Sequence, residues 1–132
     1  MAGFLNQSVV TPSDLARFNC LQTPVWIFDV DYMRMWWANQ AAIRLWNAES
    51  LDELLDRDWN DYSNATYVRF KDYLSQFNQG NTITEQWTFY PEEESAISVS
   101  CTFSAIWIES GRLAMLVEGT PQRIDEDDSH LL

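Results

Sequence analysis

The sequence has one histidine, two cysteines and four glycines among 132 residues, and each scarcity closes a route to function. His130 stands near the C-terminal end, so Ser-His and Cys-His catalytic arrangements and histidine-rich metal sites have nothing to build on. Cys20 and Cys101 are far apart and form no C-x-x-C pair, which leaves no disulfide framework and no zinc motif. Four glycines supply no phosphate-cradling loop. Basic residues are also few: eight Lys and Arg stand against 20 Asp and Glu, a net charge of −12. Nucleic-acid binding draws its affinity from basic side chains on phosphates, and an anionic membrane surface needs the same. Neither partner suits this chain. No apolar run approaches the ~20 residues of a spanning helix, and no basic segment leads a long apolar one at the N-terminus. A cytoplasmic module with no membrane insertion is the expectation.

What the chain does have is rings. Seven Trp, seven Phe and five Tyr contribute to an apolar fraction of 46%. Each ring system can bury roughly 150–250 Å², so a core built around aromatics is expected, some of them lining a pocket. The length suits one domain. Two acidic runs, Glu92-Glu93-Glu94 and residues 125–128, read as a solvated loop and a solvated tail.

Thr11-Pro12-Ser13-Asp14 opens a short helix, with Thr11 as N-cap, Pro12 at the first helical position and Asp14 against the dipole. The segment PVWIFDVD (24–31) is rich in β-formers, and residues 35–38 return as a second strand, which sends Trp36 and Trp37 to opposite faces. Asn39 is a favoured N-cap for the good helix formers over 40–46. Residues 50–53 are a capping box introducing a short helix with Leu51, Leu54 and Leu55. Tyr67, Phe70, Leu74 and Phe77 recur at helical spacing behind a candidate cap at Ser63, and Gly80 suits the C′ position. From Thr82 the period becomes two: one strand runs to Phe89, a second carries Ile97, Val99, Cys101, Phe103, Ala105 and Trp107 on one face, and a third spans 112–118. Ser110-Gly111 is a tight turn. The order is helix, two strands, three helices, three strands. Hairpin-length links imply an α+β fold, a five-stranded antiparallel sheet with helices on one face plus the short N-terminal helix.

This order resembles a PAS domain, the sensor module of bacterial signalling proteins. Ala38-Asn39-Gln40-Ala41 looks like the family's Asn-x-Ala signature at the end of the second strand, and SLDELL (50–55) looks like the acidic-leucine helix that follows. The resemblance covers roughly residues 24–119, leaving 1–23 as an N-terminal extension with its helix and 120–132 as an acidic linker or tail. Tyr32-Met33, Asn47 and Asp56 stand where the family often has Gly, and Asn tolerates the left-handed conformation. In PAS domains that carry haem the long helix usually supplies an axial His, and residues 64–79 have none. Blue-light flavin sensors use a reactive Cys in a helix after the second strand, where neither cysteine lies. The resemblance thus disfavours haem and covalently reacting flavin and leaves any cofactor unknown.

The candidate pocket residues are Trp26, Phe28, Leu45, Trp46, Phe70, Leu74, Trp87, Phe89 and Phe103, with Trp87 first among them; a ring-filled core with no ligand explains the same residues. Ile106 and Ile108 fall on an otherwise polar strand face, and Ala114 and Leu116 can join them. Such a patch seldom stays exposed, so the outer sheet face, with Leu15 and Phe18 of the first helix, is the expected homodimer contact. Residues 56–61 imitate half a calcium loop, but Asp61 and Tyr67 stand where Gly and Glu belong. The leading expectation is a non-catalytic sensory module for a small apolar or aromatic ligand. It would signal to an output domain outside this chain, by family resemblance a kinase or cyclase. The alternatives are a ligand-free dimerisation module and a small cone-shaped isomerase or dehydratase using Asp29 or Glu85 as base.

Overall fold

A computed structural model describes residues 9–59, 64–90 and 96–122. The Ser63 cap, the PEEES loop, the acidic tail and His130 lie outside them. Helix α1 (Pro12–Asn19) begins with a complete capping box: the Thr11 hydroxyl accepts from the Asp14 N–H, and the Asp14 carboxylate accepts from the Thr11 N–H. Strands β1 (Val25–Asp29) and β2 (Arg34–Ala38) form a hairpin, followed by helices α2 (Gln40–Leu45), α3 (Leu51–Leu55) and α4 (Asn64–Phe77). Strands β3 (Ile83–Phe89), β4 (Ile97–Ile108) and β5 (Arg112–Gln122) complete one antiparallel sheet in the order β2-β1-β5-β4-β3. The α+β architecture read from the sequence is the one observed.

Three local features shape the two faces of this sheet. First, the pairing of β1 with β2 slips between Ile27 and Phe28: Ile27 faces Trp37 and Phe28 faces Met35, so Trp36 is an extra residue. Such a bulge sets two side chains against one partner residue. Trp36 and Trp37 therefore both pack on the outer cluster, not on opposite faces as strict alternation predicts, while Met35 and Ala38 stay on the inner face. Second, β5 continues past its expected end at Glu118 to Gln122, pairing with β4 through Val99↔Pro121 and Ser98↔Gln122. Proline fits here because the Gly119 N–H points to the Pro24 carbonyl (2.9 Å). The nitrogen two residues on faces the same edge, where β1 has run out. Third, Met33 and Asn47 take the left-handed conformation at φ 49° and 55°, two of the positions where glycine is common in the resembling family.

The two sheet faces bury different things. The inner face, under α2, α3 and α4, holds one continuous cluster including Trp26, Phe28, Trp46, Phe70, Tyr73 and Phe103. Gly119 makes room for it: a Cβ there would sit 2.9 Å from the Val99 side chain and 3.1 Å from the Trp26 ring. The outer face holds a smaller cluster of Ile27, Ile108 and Ala114, covered by Val10, Leu15, Trp36, Trp37, Ile106 and Leu116. Val10 donates to the Trp107 carbonyl at 2.8 Å, and Phe18 meets Trp37 with ring centroids 6.2 Å apart.

Candidate ligand cavity

The interior cavity lies between the sheet and the helices. Trp26 and Phe28 project from β1; Val117 and Met115 stand opposite them on β5, and Met35 stands opposite Phe28 on β2. Trp46, which caps the end of α2, and Phe70 of α4 close the far side, with Trp59 between α3 and α4. Trp87, Phe89 and Phe103 complete the wall from β3 and β4. The rings meet mainly edge to face: Trp46 and Trp59 are 5.0 Å apart at 89°, and Trp26 and Trp46 are 5.7 Å apart at 83°. Those geometries suit the ring quadrupole.

Seven of the nine residues singled out in the sequence, Trp26, Phe28, Trp46, Phe70, Trp87, Phe89 and Phe103, line this cavity. Leu74 is buried elsewhere in the same cluster, and Leu45 packs against it partly buried. Sequence reading missed Met35, Met115 and Val117, whose inclusion depends on strand order and cross-strand register. It also missed Trp59, which lies in a loop without periodicity. The cavity is about 20 Å³. That exceeds the roughly 10–15 Å³ one water needs and falls far short of a ring.

Polar groups at the cavity are sparse. The Trp46 indole N–H is buried with no acceptor among the described residues. At the β3 side, the Tyr73 hydroxyl donates to Glu85 and accepts from Trp87 Nε1 (3.3 Å) and Arg69 Nε (3.1 Å). Burial, reinforced by the Glu85 carboxylate, pushes the Tyr73 hydroxyl from 10.0 up to about 12. Arg69 also pairs with Glu85 and lies over the Trp87 ring, 5.2 Å from its centroid; that hydrogen bond to Glu85 raises its pKa further. Burial likewise holds the Cys101 thiol up at about 12, an inert small hydrophobe.

Asp29 is fully buried and held by both Arg112 nitrogens at 2.9 and 3.0 Å, with Arg34 3.5 Å away. Asp31 is exposed and pairs with Lys71 at 3.5 Å. One Arg112 nitrogen lies between the two carboxylates, 2.9 Å from Asp29 and 3.7 Å from Asp31.

Asn39 does more than cap. Its Oδ1 accepts from the N–H groups of Ala42 (2.9 Å) and Val25 (3.0 Å), and its Nδ2 donates to the carbonyls of Phe18 and Thr23, both at 2.9 Å. One fully buried side chain thus ties α1, the start of β1 and the start of α2 together.

Of the residues expected at a dimer contact, Ile108 and Ala114 are fully buried beneath the chain's own outer cluster. Leu15, Phe18, Ile106 and Leu116 remain only partly covered.

No family model matches the sequence, and no curated protein is similar to it. Solved structures are. The PAS domain of nitrogen regulation protein NR(II) from Vibrio parahaemolyticus superposes with a TM-score of 0.62 at 21% identity, over 85% of this chain and 100% of that one. The PAS domain of an HTR-like protein from Haloarcula marismortui gives 0.63 at 19% identity, over 83% and 90%. A PAS domain from a two-component sensor histidine kinase gives 0.62 at 14% identity, over 81% and 91%. The chain has the PAS fold.

Proposed function

We propose that this chain is a non-catalytic sensory module whose ring-lined interior takes a small apolar or aromatic molecule and whose sheet passes the change to a separate output domain. The observation that carries the reading is the cavity itself. Eleven side chains from both sheet and helices converge on it, nearly all apolar, and the N–H of Trp46, one of them, has no acceptor among the described residues. PAS and sensory-box domains of sensor histidine kinases among the similar folds support the same direction; the output is taken to be a kinase or cyclase, and the setting cytoplasmic. A ligand shifts such a module only by its different affinity for two packings.

A second reading has its own support. A cavity of about 20 Å³ suits a filled core, and the partly covered Ile106, Leu116, Trp36 and Trp37 suit a homodimer, so the module would act by association alone. The enzyme reading has less behind it. Asp29 is locked to Arg112 and Glu85 to Arg69 and Tyr73, so neither carboxylate is placed as a free base.

Native mass spectrometry of protein purified without additives tests these readings. A dimer with a reproducible added mass supports the sensor. A clean dimer whose aromatic-library thermal shifts are all flat overturns it in favour of association, and a monomer at every concentration removes the dimer.

A further inference from the structure

The cavity has one weak wall. Ten of its eleven lining side chains are buried; Trp87 alone among them is only partly so. A ring cannot enter about 20 Å³ unless a wall ring leaves, and the side chain that loses least buried contact by leaving is the one already partly exposed. Trp87 sits on β3, an edge strand, so its rotation displaces no neighbouring strand. Its ring rests on Phe70 at 5.3 Å and on Phe89 and Phe103, each at 6.3 Å.

What keeps this side chain in place is polar and lies at the rim. The indole N–H reaches the Tyr73 hydroxyl, whose proton goes to Glu85, and Arg69 both bonds that carboxylate and covers the outer face of the indole. The hydroxyl has one proton and two lone pairs, all engaged. When Trp87 swings outward the hydroxyl regains one free lone pair, directed at the vacated space. That space is planar, indole-sized and walled by rings.

We propose that Trp87 is the door of the cavity, latched by Tyr73, Glu85 and Arg69, and that the guest is a planar heteroaromatic molecule of about indole size which takes the place of the Trp87 ring and donates to Tyr73. This rests on the sensory reading and narrows its ligand. A guest that also carries an acceptor would serve the Trp46 N–H. Bare hydrocarbons of the same shape leave that lone pair of Tyr73 without a donor and bind less well.

Two measurements test door and guest separately. Indole N–H exchange with solvent, followed by NMR in wild type and Tyr73→Phe, reads the door without any ligand. The expected result is at least a ten-fold faster exchange for Trp87, with Trp26 and Trp46 unchanged. No change at Trp87, or equal acceleration of all the indoles, overturns the latch. For the guest, Trp87→Ala is titrated with indole and with indene, its isostere lacking the N–H. Saturable indole binding at least five-fold tighter than indene, with a raised Tm, is expected. A folded Trp87→Ala that takes up neither, or takes up both equally, overturns the ligand class and leaves the sensory reading open to another molecule. Should Trp87→Ala not fold, indole and indene are titrated into Tyr73→Phe; indole binding no faster than to wild type then overturns the door. A door that behaves as expected in a protein that binds no aromatic probe and carries no co-purified mass sinks the sensory reading instead.

Discussion

The two faces of the sheet solve the same burial problem with different materials. The inner face uses rings whose edges meet faces, and it leaves a small void among them. The outer face uses Ile27, Ile108 and Ala114 under a helix of eight residues, and it changes character along the strands. Beside that apolar patch, Thr84 meets Thr102 and Ser98 meets Gln86 in side-chain hydrogen bonds facing solvent. The inner face is closed by the domain's own helices. The outer face is closed only in part, by α1 and by Val10 ahead of it. A face closed by rings along its whole length specifies an interior; a face whose apolar patch, Trp36 and Trp37 included, gives way to hydroxyls specifies where cover stops.

Truncation should therefore cost unequally on the two faces. Phe103→Ala, on the inner face, should lower stability by about 4 kcal/mol, while Ile106→Ala on the outer face should lower it by about 1 kcal/mol. Urea denaturation of both variants checks this, and equal losses would break the comparison.

Asn39 joins the two faces, since it holds α1 of the outer side to α2 of the inner one. Asn39→Ala removes four hydrogen bonds and strands buried donors, for a loss of about 3 kcal/mol. Hydrogen exchange should show α1 released first; uniform loss across the fold would deny the tie.

Alkali should act on the inner face alone. Tyr73 is held near 12 in the fold against 10.0 when free. The fold favours the neutral phenol, so its contribution is complete below pH 10 and is lost as pH rises from 10 through 12. The loss amounts to about 2 kcal/mol. Cys101, raised from 9.0 to about 12, loses stability in the same direction from pH 9. In Tyr73→Phe the stability measured from pH 10 to 12 should fall less steeply than in wild type; identical slopes would contradict the assignment.

The smallest effect lies outside both faces. Asn47 holds φ 55°, and Gly there relieves strain at some cost in unfolded-chain entropy. Asn47→Gly should shift stability by no more than about 0.5 kcal/mol, seen as a Tm change of a few degrees at most.

Much of this was legible in the sequence. Alternation along residues 83–89 and 97–103 named the inner rings, because an antiparallel strand with one covered face must alternate. Helical spacing named Phe70 and Phe77, and capping chemistry placed Thr11, Asn39 and Ser50 at the three N-caps observed. What failed depended on partners rather than on the segment itself. The bulge at Trp36 arises only once β2 pairs with β1. Met115 and Met35 become cavity walls only because both stand opposite Phe28. The four bonds of Asn39 reach back as far as Phe18, and no local pattern announces them.

The bond from Gly119 to Pro24, beside the pairing of Val25 with Glu118, has a mechanical consequence. The chain enters β1 and leaves its pairing with β5 at the same end of that antiparallel pair. A pulling force transmitted through the two flanking segments therefore peels the ladder open one rung at a time, rather than shearing all rungs together. Tension would part the β1–β5 seam at low load, starting at Gly119, while the longer β4–β5 ladder still holds.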